Sequence, residues 1–126
     1  MPDSPHGTRI LVVDDRPEMA EMVADALAER GYIAVALSSG REAMHRLKTE
    51  RFDALVTDLR MPEVDGLALM RASLELDPSR PVIMMTAHGT LDTVVQATGE
   101  GAYHYLTKPF RLDALSRLIE QALGHS

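Results

Sequence analysis

Short apolar runs rich in branched residues alternate along the chain with longer segments whose apolar positions recur at helical spacing. The first run, RILVVD at Arg9–Asp14, is too short for a buried helix and therefore predicts a fully buried strand. Four later runs have the same character and predict strands at Tyr32–Leu37, Asp53–Asp58, Val82–Thr86 and Ala102–Leu106. An amphipathic segment follows each run, so the pattern predicts five successive strand–helix units.

The boundaries of the helical segments are marked by residues that start or stop helices. Pro17 stands where the first helix can begin, and Gly31 follows its apolar positions as a stop signal. Pro78 and Pro81 end the third helix. A fourth helix is predicted over Thr90–Glu100, where Thr, Val and Gly residues favour helix only weakly. An apolar stripe marks the last helix: Leu112, Leu115, Leu118, Ile119 and Leu123.

Strict alternation of strands and helices predicts a parallel sheet that is covered by helices on both faces. Because strand–helix–strand crossovers are right-handed, the topology is restricted to a doubly wound α/β fold. Five units fit the flavodoxin-like strand order 2-1-3-4-5 better than the six-strand dinucleotide-binding order. No linker divides the 126 residues, so we expect a single domain, residues 1–126, with a core of about residues 9–123.

Composition and charge argue against several classes of function. The chain has 19 acidic side chains against 13 Lys and Arg, a net charge of -6, which argues against direct nucleic acid binding because phosphate contacts depend on cations. It has no cysteine, which excludes disulfides and thiolate metal sites and fits a cytoplasmic location. Its apolar runs are far shorter than the ~18 residues of a membrane span, and its polar start shows no signal peptide.

Polar residues stand where the predicted strands end. They are Asp14 and Asp15 after the first strand, Asp58 at the third, Thr86 at the fourth and Lys108 just past the fifth. In this topology the carboxyl ends of the strands share one edge of the sheet, and ligands bind there. Three carboxylates, a hydroxyl and an ammonium group should therefore converge, although each residue alone is as readily a cap, a turn residue or a surface charge.

Charge decides what such a cluster can bind. Neighbouring carboxylates raise one another's pKa, so three of them need a cation. Oxygen ligands without His or Cys favour Mg²⁺ or a similar ion such as Mn²⁺. With that cation and Lys108 present, the site would attract a phosphoryl group, and a carboxylate can itself be the nucleophile that forms an aspartyl phosphate.

Four separated segments carry a resemblance to a known family. They are LVVDDRPEM at residues 11–19, DALVTDLRMPEVDGL at 53–67, VIMMTAHG at 82–89 and GAYHYLTKPF at 101–110. In this order and spacing they resemble the receiver domain of two-component response regulators, over nearly the whole chain. The motifs TDLRMP, MTAHG and GAYHYLTKPF are most similar to those of receivers of σ54-dependent transcription activators, which carry an AAA+ module.

The resemblance implies roles for residues of the acidic edge. Asp58 matches the phospho-acceptor, and Asp15 matches a direct Mg²⁺ ligand. Asp14 would assist the metal directly or through water, and the backbone carbonyl of Arg60 would be a further ligand.

Further roles follow from the later motifs of the resemblance. Thr86 matches the switch hydroxyl, and Lys108 matches the lysine that binds phosphate. Tyr105 matches an aromatic switch that turns inward on phosphorylation. The Lys108–Pro109 peptide bond is implied to be cis, an uncommon state of X–Pro bonds.

The implied function is that of a phosphorylation-activated switch rather than a conventional enzyme. A sensor histidine kinase would supply the phosphoryl group, and the domain would catalyse its own phosphorylation and its dephosphorylation. Phosphorylation would change the face formed by the predicted fourth helix, the fifth strand and the last helix. That face would bind an output domain, a separate effector or a second receiver as a homodimer, in transcription regulation. No membrane partner is expected.

Three alternative functions remain open from the residues alone. A phosphatase of the haloacid dehalogenase type also uses an Asp nucleophile with Mg²⁺, but it needs a second Asp two residues on, where this chain has Arg60. A flavodoxin-like cofactor binder needs a phosphate loop after the first strand, where Asp14 and Asp15 would repel phosphate. A receiver that is used only for docking, without phosphorylation, would not need Asp14, Asp15 and Asp58 together.

Overall fold

The computed structural model describes residues 7–87, 96 and 98–124. Within these residues the chain forms five strands and four helices. The strands are β1 (Arg9–Val13), β2 (Ile33–Leu37), β3 (Ala54–Asp58), β4 (Val82–Thr86) and β5 (His104–Thr107). The helices are α1 (Pro17–Glu29), α2 (Gly40–Thr49), α3 (Gly66–Leu76) and the segment Leu112–Ala122, here called the last helix.

The five strands form one parallel sheet in the order β2-β1-β3-β4-β5. The predicted doubly wound α/β fold is therefore confirmed. The register keeps the carboxyl ends of the strands nearly level, because Val13 pairs with both Leu37 and Thr57, and Thr86 pairs with Thr107. Residues that follow these ends are brought to one edge of the sheet.

Alternate residues of each strand pack on opposite faces of the sheet. In β1, Leu11 and Val13 belong to a core that includes side chains of α2 and α3. Ile10 and Val12 belong to a second core with side chains of α1 and the last helix. All four strand residues are fully buried, so β1 is apolar throughout because both of its faces are covered.

Local chemistry at the helix termini explains where the helices begin. Pro17 occupies the first turn of α1, where its missing N–H costs nothing. The hydroxyl of Ser39 accepts a hydrogen bond from the backbone N–H of Glu42 (3.2 Å) at the start of α2. The carboxylate of Asp65 accepts one from Ala68 (2.9 Å) at the start of α3. These caps satisfy N–H groups that the first turn leaves without a partner.

The fifth strand is displaced from its predicted bounds. The sequence pattern predicts Ala102–Leu106, whereas β5 spans His104–Thr107. Ala102 precedes the strand, and its side chain packs into the core. Its apolar character therefore reflects this packing and not membership of the strand. The backbone N–H of Tyr103 donates to the carbonyl oxygen of Val82 (2.7 Å), which brings the chain alongside β4 just ahead of β5.

The helix predicted over Thr90–Glu100 is only partly described. Residue 96 and residues 98–100 are helical, and the remainder of that prediction, including its weak helix preference, lies outside the described residues. Among the helices of the described ranges, none is long and apolar enough to cross a membrane.

Candidate functional site

The predicted site residues lie at or just after the carboxyl ends of the strands. Asp14 follows β1, Asp58 is the last residue of β3 and Thr86 is the last residue of β4. Lys108 follows β5, and its backbone N–H donates to the carbonyl oxygen of Thr86 (2.8 Å). This bond holds the loop after β5 against the end of β4. The Lys108–Pro109 peptide bond is cis.

Three carboxylates form an acidic cluster at this edge. One oxygen from each of Asp14, Asp15 and Asp58 lies within 4.8 Å of the other two. Asp14 is fully buried, Asp58 is 8% exposed and Asp15 is exposed. The Oδ1 atom of Asp14 accepts a hydrogen bond from the backbone N–H of Arg16 (2.9 Å), which fixes this buried carboxylate. The cluster is reached from solvent on the side of Asp15.

The ammonium group of Lys108 contacts two of these carboxylates. Its Nζ atom lies 2.6 Å from Oδ2 of Asp14 and 3.4 Å from Oδ2 of Asp58. Only 12% of the Lys108 side chain is exposed, so both ion pairs are largely desolvated. One ammonium group against three carboxylates leaves the cluster with excess negative charge when all the groups are ionised.

Burial raises the pKa of the Asp58 carboxyl above its usual range. The ammonium group of Lys108 opposes this rise, whereas the negative charge of Asp14 adds to it. Ionisation of Asp58 is therefore helped by any further positive charge that enters the site.

The donor set of the acidic cluster suits a hard divalent cation. Its candidate ligand atoms are carboxylate oxygens, which Mg²⁺ and Mn²⁺ prefer. A divalent ion would neutralise the excess negative charge, and the exposed side at Asp15 is compatible with the waters that Mg²⁺ retains. Arg60, whose carbonyl is a further candidate ligand, is exposed two residues after Asp58. The residues present fit the predicted metal.

The loop between β3 and α3 is packed so closely that glycine is required at two positions. A side chain on Gly66 would collide with the carbonyl oxygen of Asp58, and one on Gly40 would collide with that of Val64. The backbone N–H of Gly66 also donates to the carbonyl oxygen of Leu59 (2.9 Å). The loop after Asp58 is thus held between α2 and the start of α3. Close approach of two backbone segments has no sequence signal beyond the glycine itself.

The two predicted switch residues lie on neighbouring strands. Thr86 is 1% exposed at the end of β4, and Tyr105 lies in β5 opposite Met84. The ring of Tyr105 belongs to the core on the α2 and α3 side of the sheet, so it already has an inward position. Its hydroxyl is buried and has no hydrogen-bond partner among the residues that the structure describes. Tyr105 is not a member of the acidic cluster.

Comparison with known families shows where this arrangement belongs. The model of the "Response regulator receiver domain" matches residues 10–120 of the chain. The chain belongs to the response regulator receiver domain family. The matched range of this receiver domain includes every predicted site residue, from Asp14 to Pro109.

Curated relatives of this receiver domain are transcription regulators. The DNA-binding transcriptional regulator NtrC of Escherichia coli K12 is 40% identical over 116 residues, which is 92% of this chain and 25% of that protein. The chain spans about a quarter of the length of the curated relatives it matches. The predicted similarity to receivers of transcription activators is confirmed by these relatives.

Solved structures of receiver domains share the fold. The beryllofluoride-activated NtrC4 receiver domain dimer is 35% identical, with a TM-score of 0.86 and coverage of 92% of this chain and 96% of that chain. The response regulator TrrA from Thermotoga maritima, solved in complex with Mg²⁺ and BeF, is 28% identical. Its TM-score is 0.83, with coverage of 92% of this chain and 99% of that chain. A receiver domain of this fold therefore binds Mg²⁺.

Proposed function

We propose that this receiver domain is a phosphorylation-activated switch that accepts a phosphoryl group from a sensor histidine kinase onto Asp58. The position of Lys108 carries the proposal, because its ammonium group lies 3.4 Å from Asp58 and 2.6 Å from Asp14 beside the acidic cluster. Asp58 thus has a cation close by and candidate metal ligands around it. A carboxylate nucleophile needs such positive charge to receive an anionic phosphoryl group.

A carboxylate oxygen of Asp58 is the nucleophile in the proposed step. It bonds to phosphorus while the bond from phosphorus to the histidine nitrogen of the kinase breaks, and that nitrogen keeps the electron pair. Lys108 neutralises charge on the phosphoryl oxygens, and the hydroxyl of Thr86 donates a hydrogen bond to one of them. Hydrolysis later restores the carboxylate. The domain acts on its own side chain and is not a conventional enzyme.

Mg²⁺ or Mn²⁺ would be held by the carboxylates of Asp14, Asp15 and Asp58 and by the backbone carbonyl of Arg60. When bound, the ion would supply positive charge that offsets the negative charge of the incoming phosphoryl group. The acidic cluster and the Mg²⁺ complex of the related TrrA support this assignment. Asp14 has a second role in this proposal, because it anchors the ammonium group of Lys108 at 2.6 Å.

The proposed output is a change on the face formed by the predicted helix over Thr90–Glu100, β5 and the last helix. Movement of Thr86 towards the phosphoryl group would alter the end of β4, which pairs with β5 and hence with the strand that carries Tyr105. The changed face would bind the protein's own output domain, a separate effector or a second copy. Relatives named as transcription regulators support a role in the control of transcription, and the NtrC4 receiver dimer supports a second copy as one partner.

Phosphorylation by a small donor tests the acceptor. Phosphoramidate with Mg²⁺ should add one phosphoryl group, about 80 Da by intact mass, and Asp58→Asn should add none. Asp25→Asn, an exposed acid of α1, is the matched control and should be modified like the wild type. Chelation of Mg²⁺ with EDTA should suppress the modification. Equal modification of Asp58→Asn and the wild type would refute the acceptor assignment.

A further inference from the structure

A polar cavity lies at the edge of the sheet opposite the acidic cluster. Its volume is about 280 Å³, and its walls come from residues just before β3, residues just before β4 and the end of the last helix. Its charged and hydroxyl-bearing lining residues are Arg51, Asp53, Asp77, Ser79 and Arg80. These residues precede the amino ends of their strands, whereas Asp58 stands at a carboxyl end, so this cavity takes no part in the proposed phosphorylation.

Arg80 is the unusual member of this lining. It stands directly before Pro81 at the start of β4 and is only 7% exposed. Its Nε and Nη1 atoms are buried and have no hydrogen-bond partner among the residues that the structure describes. Two buried guanidinium nitrogens without acceptors are costly, and burial lowers the pKa of Arg80 despite the nearby carboxylates of Asp77 and Asp53.

The two carboxylates of the cavity already have partners other than Arg80. Oδ1 of Asp77 accepts hydrogen bonds from the backbone N–H (3.0 Å) and the hydroxyl (2.6 Å) of Ser79. Oδ2 of Asp53 accepts one from the backbone N–H of Arg9 (2.8 Å), and its Oδ1 lies 3.7 Å from a guanidinium nitrogen of Arg51. The donors of Arg80 are therefore the groups of this lining that a ligand would satisfy.

We propose that this cavity binds a small organic carboxylate, which accepts hydrogen bonds from the guanidinium group of Arg80. A planar carboxylate matches the planar fork of donors that arginine presents. The fixed carboxylates of Asp53 and Asp77 disfavour a ligand with more than one negative charge, which argues for a monocarboxylate over inorganic phosphate. A cavity of about 280 Å³ lies below the range of about 300–1,000 Å³ typical of drug-sized ligands, so the ligand has few non-hydrogen atoms.

Thermal unfolding of the intact chain with acetate as the probe tests this site. Acetate should raise the melting temperature of the wild type in a saturable way, by about 5 °C at ten times its Kd. Sodium chloride at equal ionic strength should not reproduce the rise. Arg80→Leu should abolish the response to acetate. Arg117→Leu, which removes an exposed arginine of the last helix, should keep it.

A second measurement does not depend on a variant. The side-chain Nε–H signal of Arg80 in nitrogen-15 NMR should shift with acetate and saturate at the same Kd as the thermal response. No response beyond that to chloride, or an equal response of Arg80→Leu, would overturn the proposal and leave water as the occupant of the cavity. A response to inorganic phosphate without one to acetate would overturn the assignment to carboxylates.

Discussion

Lys108 is the residue on which the electrostatics of the acidic cluster depend most. Asp14 is fully buried, and the ammonium group of Lys108 is its side-chain cation among the residues that the structure describes. The same ammonium group also contacts Asp58. A single side chain thus joins the buried structural acid to the proposed acceptor, and its loss should affect both stability and phosphorylation.

Lys108→Met removes this charge while keeping most of the side-chain length. We expect the free energy of unfolding at pH 7 without divalent cations to fall by about 2 kcal/mol, because a buried carboxylate loses its partner. Urea denaturation measures this loss. Lys48→Met, at an exposed position of α2, should change it by no more than about 0.5 kcal/mol. Equal stability of both variants would show that Lys108 does not stabilise Asp14.

The raised pKa of Asp58 makes a prediction about pH. The folded state favours the neutral form of the Asp58 carboxyl. The contribution of this group to the free energy of unfolding is therefore full below the usual carboxyl pKa of about 4. It is lost as the pH rises through the higher pKa of the folded state. In EDTA, Asp58→Asn should therefore be more stable than the wild type at pH 7, by about 1 kcal/mol. Urea denaturation at about pH 3 should show no such difference. A wild type that gains stability over the variant as pH rises would contradict the sign.

The role of a residue can be predicted from the sequence when the strand order alone determines its position in the fold. Asp14, Asp58, Thr86 and Lys108 end or follow predicted strands, so their convergence follows once the strand order is known. Arg80 is different, because nothing in the sequence shows that two of its guanidinium nitrogens are buried without a partner among the described residues. That property depends on side-chain packing between distant segments, which the apolar pattern does not encode.

At the scale of elements, the loop between β3 and α3 sets the position of the proposed acceptor. Gly66 begins α3 directly against the carbonyl oxygen of Asp58, so the helix, the loop and the end of β3 form one packed unit. The predicted bounds are right for β4, whose apolar run coincides with the strand. The predicted bounds are shifted for β5. Ala102 is an apolar core residue that precedes this strand, and in the sequence it is indistinguishable from a strand residue.

Gly66→Ala tests that packed unit. The added methyl group collides with backbone that cannot yield easily, so we expect a loss of about 2 kcal/mol in the free energy of unfolding and slower phosphorylation by phosphoramidate. Gly99→Ala is the control, since a Cβ atom there meets nothing within 4 Å. Because Gly99 is helical, its replacement by Ala should raise the free energy of unfolding by up to about 1 kcal/mol, as measured by urea denaturation. Similar stability of the two variants would show that Gly66 is not under the inferred constraint.

At the scale of the whole molecule, the parallel sheet concentrates negative charge at one edge. The strand ends are nearly level, so carboxylates that are 44 residues apart in sequence, Asp14 and Asp58, share one cluster with Asp15. The two-sided core was predictable from the repeating apolar pattern, and the strand order was predictable from the five strand–helix units and their right-handed crossovers. The distances within the cluster depend on the register and loops, which only the structure shows.

Stabilisation by Mg²⁺ is the expected consequence for the whole domain. A cation that binds only the folded cluster at ten times its Kd should raise the melting temperature by about 5 °C. Asp15→Asn should abolish this rise with little effect on the fold, because Asp15 is exposed. Sodium chloride at equal ionic strength is the control for screening. An undiminished Mg²⁺ response of Asp15→Asn would remove this residue from the proposed ligands.

The proposal that Asp58 carries the phosphoryl group is tested by locating that group in the chain. The receiver is treated with phosphoramidate and Mg²⁺, and borohydride then reduces any aspartyl phosphate to homoserine before peptide mass spectrometry. We expect homoserine at position 58 and at no other acidic position, with none formed when Mg²⁺ is removed. Homoserine at the position of Asp14 or Asp15, with Asp58 intact, would contradict it.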